Sequence, residues 1–421
     1  MRAWLTSSDF SDEMQVLVIN SGSSSIKFRL VDVVEEARRG LTSQPALLQG
    51  AIKGIGGVAS FEVTGQDAHR STTKLEIRNH AHALRVLFDR LSGSLEKIEA
   101  VGHRVVHGGD QYMEPTLITK EVEAGIDALS ELAPLHNPSG LAGIRGAREV
   151  LGSRVPMVAV FDTAFHQSMP QVAKRYAIPE ELADRYRIRR YGFHGIAHAS
   201  LANGYSACTG NSLEQIRLIT LQLGNGCSVA AIARGRSVET SMGFTPLEGL
   251  VMGTRSGDVD ASIVSYLSER EKVEPAEVER WLNERSGLLG VSGRSNDMRE
   301  LLRAAEQDQD KRAQFAVDLF CYRVRKYLGS YLAVLDGADA IVFGGGIGEN
   351  APEIRERICQ NMDWCGLKLD RDRNRAAVGL APGRAARIST DESRLGAYVV
   401  AADEESWIAR ETVRCVRAAR S

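Results

Sequence analysis

The chain has 421 residues, enough for two domains or three, with 43% hydrophobic and 25% charged residues, an ordinary globular composition. General disorder is excluded, because apolar material for a sizeable core is ample. Lys and Arg number 52 against 54 Asp and Glu, a net charge of −2, so no global field recruits nucleic acid or an anionic membrane.

Taken in chain order, residues 1–13 (MRAWLTSSDFSDE) lack an apolar h-region and end acidic, unlike a secretory signal. The apolar run 16–19 (VLVI) stops at Asn20–Ser25, and the amphipathic run 26–31 follows, which reads as strand, tight polar turn, strand. Helices are predicted over 81–91, 120–132, 140–151 and 179–186, with a buried strand at 155–161 that ends in Asp162. The opening layout recurs from Ile219, where ITLQL is followed by Gly224–Ser228 and then VAAIA. This repeat predicts an internal duplication. Further helices are predicted over 259–267, 275–285, 297–307 and 313–335, before a buried strand at 340–343 runs into the glycine-rich turn Gly344–Asn350. Strands alternating with helices argue an α/β protein, and the lack of a low-complexity linker predicts two domains packed around a cleft. The longest apolar stretches, 155–161 and 397–402, fall far short of the ~20 residues a bilayer requires. Six scattered cysteines without a CxxC pair read as free thiols, predicting a cytoplasmic protein.

Three turns, 20–25, 224–228 and 344–350, each follow a buried strand and are rich in Gly, Ser and Asn. Such turns expose backbone N–H donors without side-chain obstruction and suit phosphate. Together they predict a nucleotide polyphosphate site, although each alone would more often be a hairpin or cap. Other nucleotide motifs fail. No Gly-Lys dipeptide occurs, so there is no Walker A loop, and the HRD and DFG of a protein kinase are absent. Gly54–Ala59 fits GxGxxA nominally, but the residues after it alternate as a strand instead of opening a helix.

At this point the ordered motifs NSGSSSIKF (20–28), GHRVVHGG (102–109), LHNP (135–138), FDTAFH (161–166), YGFHG (191–195), GNG (224–226), TPLEG (245–249), MGTRSGD (252–258), DMR (297–299) and GIGEN (346–350) can be read together. They resemble the acetate/propionate kinase family, within the superfamily of acetate and sugar kinases, heat-shock ATPases and actin. The resemblance covers about Met14 to Glu411. It implies two duplicated actin-like (ribonuclease H-like) α/β domains with an interdomain cleft. The first would comprise 14–162 with about 400–421 and the second 163–399, while residues 1–13 would be a disordered extension or a misplaced start.

The implied reaction is acetate + ATP ⇌ acetyl phosphate + ADP with Mg²⁺, for which Mn²⁺ could substitute. A carboxylate is already ionised at pH 7, so the nucleophile needs relief from repulsion and no general base. By resemblance Arg104 would hold the acetate carboxylate and Arg255 the equatorial oxygens of the transferring phosphoryl, since a guanidinium matches oxyanions and stays charged. His194 would donate to that phosphoryl, with His136 a second donor; a metal pair of His194 with His198 is the weaker reading. The resemblance implies an acid/base role for Asp162, whereas the chemistry favours its orienting an arginine or a magnesium-bound water. Asn20 and Glu404 would position Mg²⁺, with Asp403 and Glu405 leaving the register of Glu404 open by one residue. Gln222, Leu223, Gly224, Asn225 and Gly226, together with Gly346, Ile347, Gly348, Glu349 and Asn350, would bind the ATP phosphates and ribose. Asp297, Met298 and Arg299 would flank the adenosine, and Lys27 would reach a phosphate unless it is simply solvated.

Val106, Leu135, Phe193 and Pro246 would enclose the acyl methyl. Valine at 106, in place of alanine, favours the smaller acid, although one methylene discriminates by only ~1–3 kcal/mol. Propionate or another short-chain fatty acid is therefore an alternative substrate. A non-kinase actin-like ATPase is a second alternative, disfavoured by Arg104, Arg255 and the apolar wall. A homodimer follows from resemblance alone. The chain departs from the family pattern at Gln222, where histidine is usual, and at Asn296, Gly344 and Ala261.

Overall fold

The computed structural model describes residues 13–421 apart from 23, 37–39, 44, 68, 92–94 and 135. Residues 1–12 and Leu135 therefore lie outside the described residues, and with them the expectation of a disordered extension over 1–13, except at Glu13, which opens β1 paired with Val34. The chain divides into two compact units, one running through Ala164 and completed by Glu404–Ser421, the other comprising Phe165–Asp403.

The first unit contains nine strands among its described residues: β1 (Glu13–Ser21), β2 (Ser25–Glu36), β3 (Gly40–Ser43), β4 (Leu48–Lys53), β5 (Gly57–Gly65), β6 (Arg70–Ile77), β7 (Ala100–Val105), β8 (Thr116–Leu117) and β9 (Met157–Phe161). Their order is β6-β5-β4-β2-β1-β7-β9-β8, with β3 on β2. The hairpin β1–β2 is antiparallel, while β1, β7 and β9 run parallel. Parallel strands covered on both faces lose polar alternation. Accordingly Val16–Ile19 are all buried, as are all five residues of β9.

The helix Asn137–Leu151 packs on β1 and β7, and the C-terminal helix Glu404–Arg420 on β1, β7 and β9. Glycine at 102 permits the second contact: a Cβ there would sit 2.4 Å from Thr412 Oγ1 and 2.8 Å from Ile408 Cγ2.

The second unit repeats this plan with β10 (Arg217–Leu223), β11 (Cys227–Ala233), β12 (Arg236–Thr240), β13 (Ala340–Gly344), β14 (Ala385–Arg387) and β15 (Gly396–Val400), in the order β12-β11-β10-β13-β15-β14. Again a hairpin opens the unit, and β10, β13 and β15 are parallel. The core order β4-β2-β1-β7-β9 of the first unit is thus matched by β12-β11-β10-β13-β15 in the second, each α/β. The helix Gly195–Thr209 buries Leu201, Ala202 and Tyr205 against Leu218, Val342 and Val400. Asp310 starts the long helix Lys311–Val334 by accepting from the Arg312 and Ala313 amides at 2.9 and 3.1 Å. Among the described residues no helix is long and apolar enough to cross a membrane.

Several boundaries differ from expectation. The first polar turn is shorter than 20–25: Asn20 and Ser21 remain in β1, paired with Lys27 and Ile26, and the Gly22 amide closes the hairpin on the Ser25 carbonyl at 2.8 Å. The helix predicted from 259 begins at Ser262, whose amide is held by the Asp260 carboxylate at 2.8 Å. The larger correction concerns 344–350, predicted as a turn. Gly345–Asn350 is a short helix springing directly from β13. Gly345 adopts φ +74°, and a Cβ there would lie 2.6 Å from the Leu223 carbonyl oxygen, so glycine lets the chain turn into helix against β10 without a loop.

Candidate active site

In an open parallel sheet, side chains that act on ligands gather at the carboxyl ends of the strands. Three polar side chains stand at that edge of the first unit. Asn20 is the last residue but one of β1, Arg104 lies near the end of β7, and Asp162 follows β9 directly. Arg104 donates through Nε and Nη2 to Asp162 Oδ2, at 3.1 and 2.5 Å, and through Nη1 to Asn20 Oδ1 at 3.1 Å. The guanidinium is thus fixed from two sides. Burial opposes its charge, but Asp162 and then Glu404 hold its pKa above the ordinary arginine value.

Glu404 opens the C-terminal helix and is half-buried. Burial first, with Asp162 and Glu405 adding to it against the pull of Arg104 and Lys27, pushes its carboxyl up to about 7. Two or three acidic groups crowded into a partly buried place are what a divalent cation would relieve. The donors are oxygens, as Mg²⁺ prefers. Among the described residues no group of three or more His, Cys, Asp and Glu could cage a metal. An ion here would therefore be held by few protein oxygens and keep its waters, which fits Mg²⁺. Lys27 is exposed, Val106 is half-buried just past β7, and His136 is half-buried at the start of the helix Asn137–Leu151.

In the second unit, His194 takes the left-handed conformation (φ +59°) where the chain enters the helix Gly195–Thr209. Its Nδ1 lies 2.9 Å from Ser228 Oγ. A methyl built on Gly226 would sit 3.3 Å from His194 Cε1, 3.4 Å from its Nε2 and 3.7 Å from Arg255 Nη1. The hairpin turn, the imidazole and the guanidinium are therefore one cluster. The Gly253 amide donates to the Asn225 carbonyl at 2.8 Å, and Asn296 Nδ2 to Asn225 Oδ1 at 3.0 Å, which brings the segments of Arg255 and Asp297 to the same turn.

Arg255 Nη1 donates to the Pro246 carbonyl at 3.3 Å and approaches Met252 Sδ, but the guanidinium has no carboxylate partner among the described residues. Burial lowers its pKa. A partly desolvated cation left without an anion is receptive to one.

The remaining residues divide by how they can act. Leu223 and Met298 have buried side chains, leaving only their backbone to meet a ligand. Gln222, paired across β10 with Ser228 and Gly344, has a buried Oε1 with no hydrogen-bond partner among the described residues. Asp297 caps its helix through the Arg299 amide at 2.9 Å and pairs with the exposed Arg299 side chain at 2.6 Å. Glu349 turns back inside its own unit to the amides of Gly345 and Ala402, at 3.0 and 3.2 Å. Asn350 Nδ2 likewise donates to the Gly346 carbonyl at 3.2 Å.

The buried Arg355 braces this short helix, giving all five N–H groups to Asn374 and to the carbonyls of Gly348, Glu349, Asn374 and Ala377. Phe193 is buried and Pro246 half-buried. Of the expected acyl wall, then, Val106 belongs to the first unit, Phe193 and Pro246 to the second, and Leu135 lies outside the described residues. His198 is no metal partner of His194. Both rings bond to the single Ser228 hydroxyl.

Sequence reasoning passed over Thr220 and did not single out Ser228 or Arg355. A threonine inside the buried run ITLQL was the available signal, since a buried polar residue needs a partner.

An arginine with no carboxylate partner among the described residues, beside a histidine and a glycine-rich hairpin turn, suits an oxyanion such as a phosphate. Comparison with known proteins makes the class specific. The chain belongs to the Acetokinase family, whose model matches residues 15–410. It is 50% identical over 413 residues to the acetate kinase of Solibacter usitatus (strain Ellin6076), covering 96% of this chain and 98% of that one. The crystal structure of Porphyromonas gingivalis acetate kinase superposes with a TM-score of 0.87 at 37% identity, over 96% of this chain and all of that one. That of a propionate kinase from Francisella tularensis subsp. tularensis SCHU S4 gives 0.86 at 38%, over 95% and 99%.

Proposed function

We propose that this chain transfers the terminal phosphoryl group of ATP to acetate, reversibly, giving acetyl phosphate and ADP. The observation that carries the reading is Arg255, a half-buried guanidinium beside His194 and Gly226 with no acidic partner among the described residues. Acetate arrives ionised, so no residue need remove a proton. Arg104 takes the carboxylate, and Asp162 and Asn20 keep its guanidinium aimed. Arg255 takes the equatorial oxygens of the moving phosphoryl, and His194 donates to them through Nε2. Asn20 and Glu404 would hold Mg²⁺ (or Mn²⁺), which when bound would neutralise phosphate charge. The backbone of 222–226 and the start of the helix Gly345–Asn350 bind the phosphates, with 297–299 beside the adenosine.

Val106, Leu135, Phe193 and Pro246 limit the acyl group, and a valine at 106 favours acetate. Propionate is the second reading, supported by the similarity to the Francisella propionate kinase. A homodimer in the cytoplasm completes the proposal, the latter supported by six unpaired thiols.

The test is acyl phosphate formation, trapped as hydroxamate, from acetate, propionate and butyrate with ATP and Mg²⁺. Acetate should give the highest kcat/KM. Propionate ahead of acetate would install the second reading, and ATP hydrolysis without any acyl phosphate would reject both. Light scattering on the eluted protein tests the dimer.

A further inference from the structure

We propose that Thr220, His198 and Ser228 are positioning residues that fix His194 in the tautomer carrying its proton on Nε2. The four side chains form one unbroken chain. Thr220 Oγ1 lies 2.8 Å from His198 Nδ1, His198 Nε2 lies 2.8 Å from Ser228 Oγ, and Ser228 Oγ lies 2.9 Å from His194 Nδ1. Thr220, His198 and Ser228 are fully buried. Strand alternation and the β10–β11 register put Thr220, Gln222 and Ser228 on one face of the sheet. The helix Gly195–Thr209 lays His194 and His198, four residues apart, over that face.

Counting donors sets the direction of the chain. Burial keeps His198 neutral, so it carries a single ring proton. Among the described residues the Thr220 hydroxyl has no hydrogen-bond partner besides His198 Nδ1. Were the His198 proton on Nδ1, Thr220 would accept it and its own O–H would be stranded in the core, a costly outcome. With the proton on Nε2 every donor is used. Thr220 O–H donates to His198 Nδ1, His198 Nε2–H donates to Ser228 Oγ, and Ser228 O–H donates to His194 Nδ1.

Nδ1 of His194 is thereby an acceptor, and its ring proton sits on Nε2, the edge turned to Gly226 and Arg255. The imidazole thus presents a hydrogen-bond donor toward the phosphoryl position. No proton is transferred along the chain; it sets orientation only. The functional consequence rests on the reading of His194 as a donor to the phosphoryl group.

The test is ¹⁵N NMR of the histidine-labelled, full-length protein, with His194 and His198 assigned by loss of signal in His194→Gln and His198→Gln. Both rings should show a protonated, pyrrole-type Nε2 and an unprotonated, pyridine-type Nδ1 at neutral pH. Protonated Nδ1 on His194 overturns the proposal. Because this reads the tautomer directly, it decides the matter even if the protein forms no acyl phosphate, and such inactivity would count against the proposed function alone.

Thr220→Val keeps the shape and removes the first donor. Both rings should then show mixed tautomers, and a donor population reduced to between half and a tenth lowers kcat about two- to tenfold. Thr220→Ser should restore the spectrum and the rate. A valine variant matching the parent in both, or a serine variant no better than valine, also overturns the assignment.

Discussion

Replacing Asp162 by asparagine separates two roles for this carboxylate, aiming Arg104 or moving a proton. The Arg104 side chain keeps 22% of its exposure and that of Asp162 only 2%. Water therefore still reaches the guanidinium, and the loss belongs to the scale of charge-assisted hydrogen bonds, not to that of a fully buried ion pair. That scale is about 1.5–3 kcal/mol. At ~1.4 kcal/mol per decade it becomes a fall of about ten- to a hundredfold in kcat/KM for acetate. Asn20 and Glu404 remain beside Arg104, so the fold should survive with a melting temperature close to the parent. The assay is hydroxamate trapping at saturating ATP with acetate varied, repeated from about pH 6.5 to 9, where acetate stays ionised. The ratio of parent to variant should be the same from about pH 8 to 9, above the Glu404 titration near 7 that Asp162 helps to raise. Unchanged kcat/KM would refute the aiming role. A loss of about ten thousandfold, the upper reach of general acid–base catalysis, would instead mark Asp162 as a group that handles a proton.

Arg255→Ala should lower kcat by orders of magnitude while leaving thermal unfolding nearly unchanged, because the guanidinium gives up no ion pair; Arg255→Lys should not restore the rate, lacking the planar fork. Gly226→Ala should raise KM for ATP and lower kcat, since the new methyl would press on the His194 ring at 3.3 Å, with overpacking of ~1–3 kcal/mol as the scale; steady-state kinetics with ATP varied would check it. Glu404 makes stability depend on pH in a definite sense. Its carboxyl titrates near 7 in the fold against 4.5 ordinarily, so the fold holds the proton more tightly, and stability should fall as pH rises from 4.5 through 7, by at most about 3 kcal/mol. Without added metal, urea midpoints at pH 5 and 8 should converge in Glu404→Gln; an unaltered difference would count against the assignment.

Much of this was legible in the chain because each unit announces itself with an apolar strand cut short by small hydrogen-bonding residues. Asp162 could be read as the end of a buried strand, a position that places a side chain at the sheet's carboxyl edge. Glu404 could not be told from Asp403 and Glu405, because only the first turn of the C-terminal helix decides which of three adjacent acids faces Arg104. The 344–350 segment has the composition of a loop. Whether glycines make a loop or a helix start depends on how closely Leu223 approaches Gly345, a tertiary fact. Thr220 and Ser228 escaped notice for a similar reason: their role exists only once the helix Gly195–Thr209 covers them. Sequence periodicity carries which face a residue occupies, and not what lies across from it.

The C-terminal helix has a kinetic consequence. It fills the groove left by Gly102, yet the ribosome delivers it only after the entire second unit, 165–403, has been made. At about 5–20 residues per second, the first unit waits tens of seconds for its final piece. During that interval β1, β7 and β9 lack a cover on one side, and Arg104 has no Glu404. The first unit is therefore aggregation-exposed until that helix arrives, and slowing translation across 165–403 should reduce the yield of folded protein more than slowing it before residue 165.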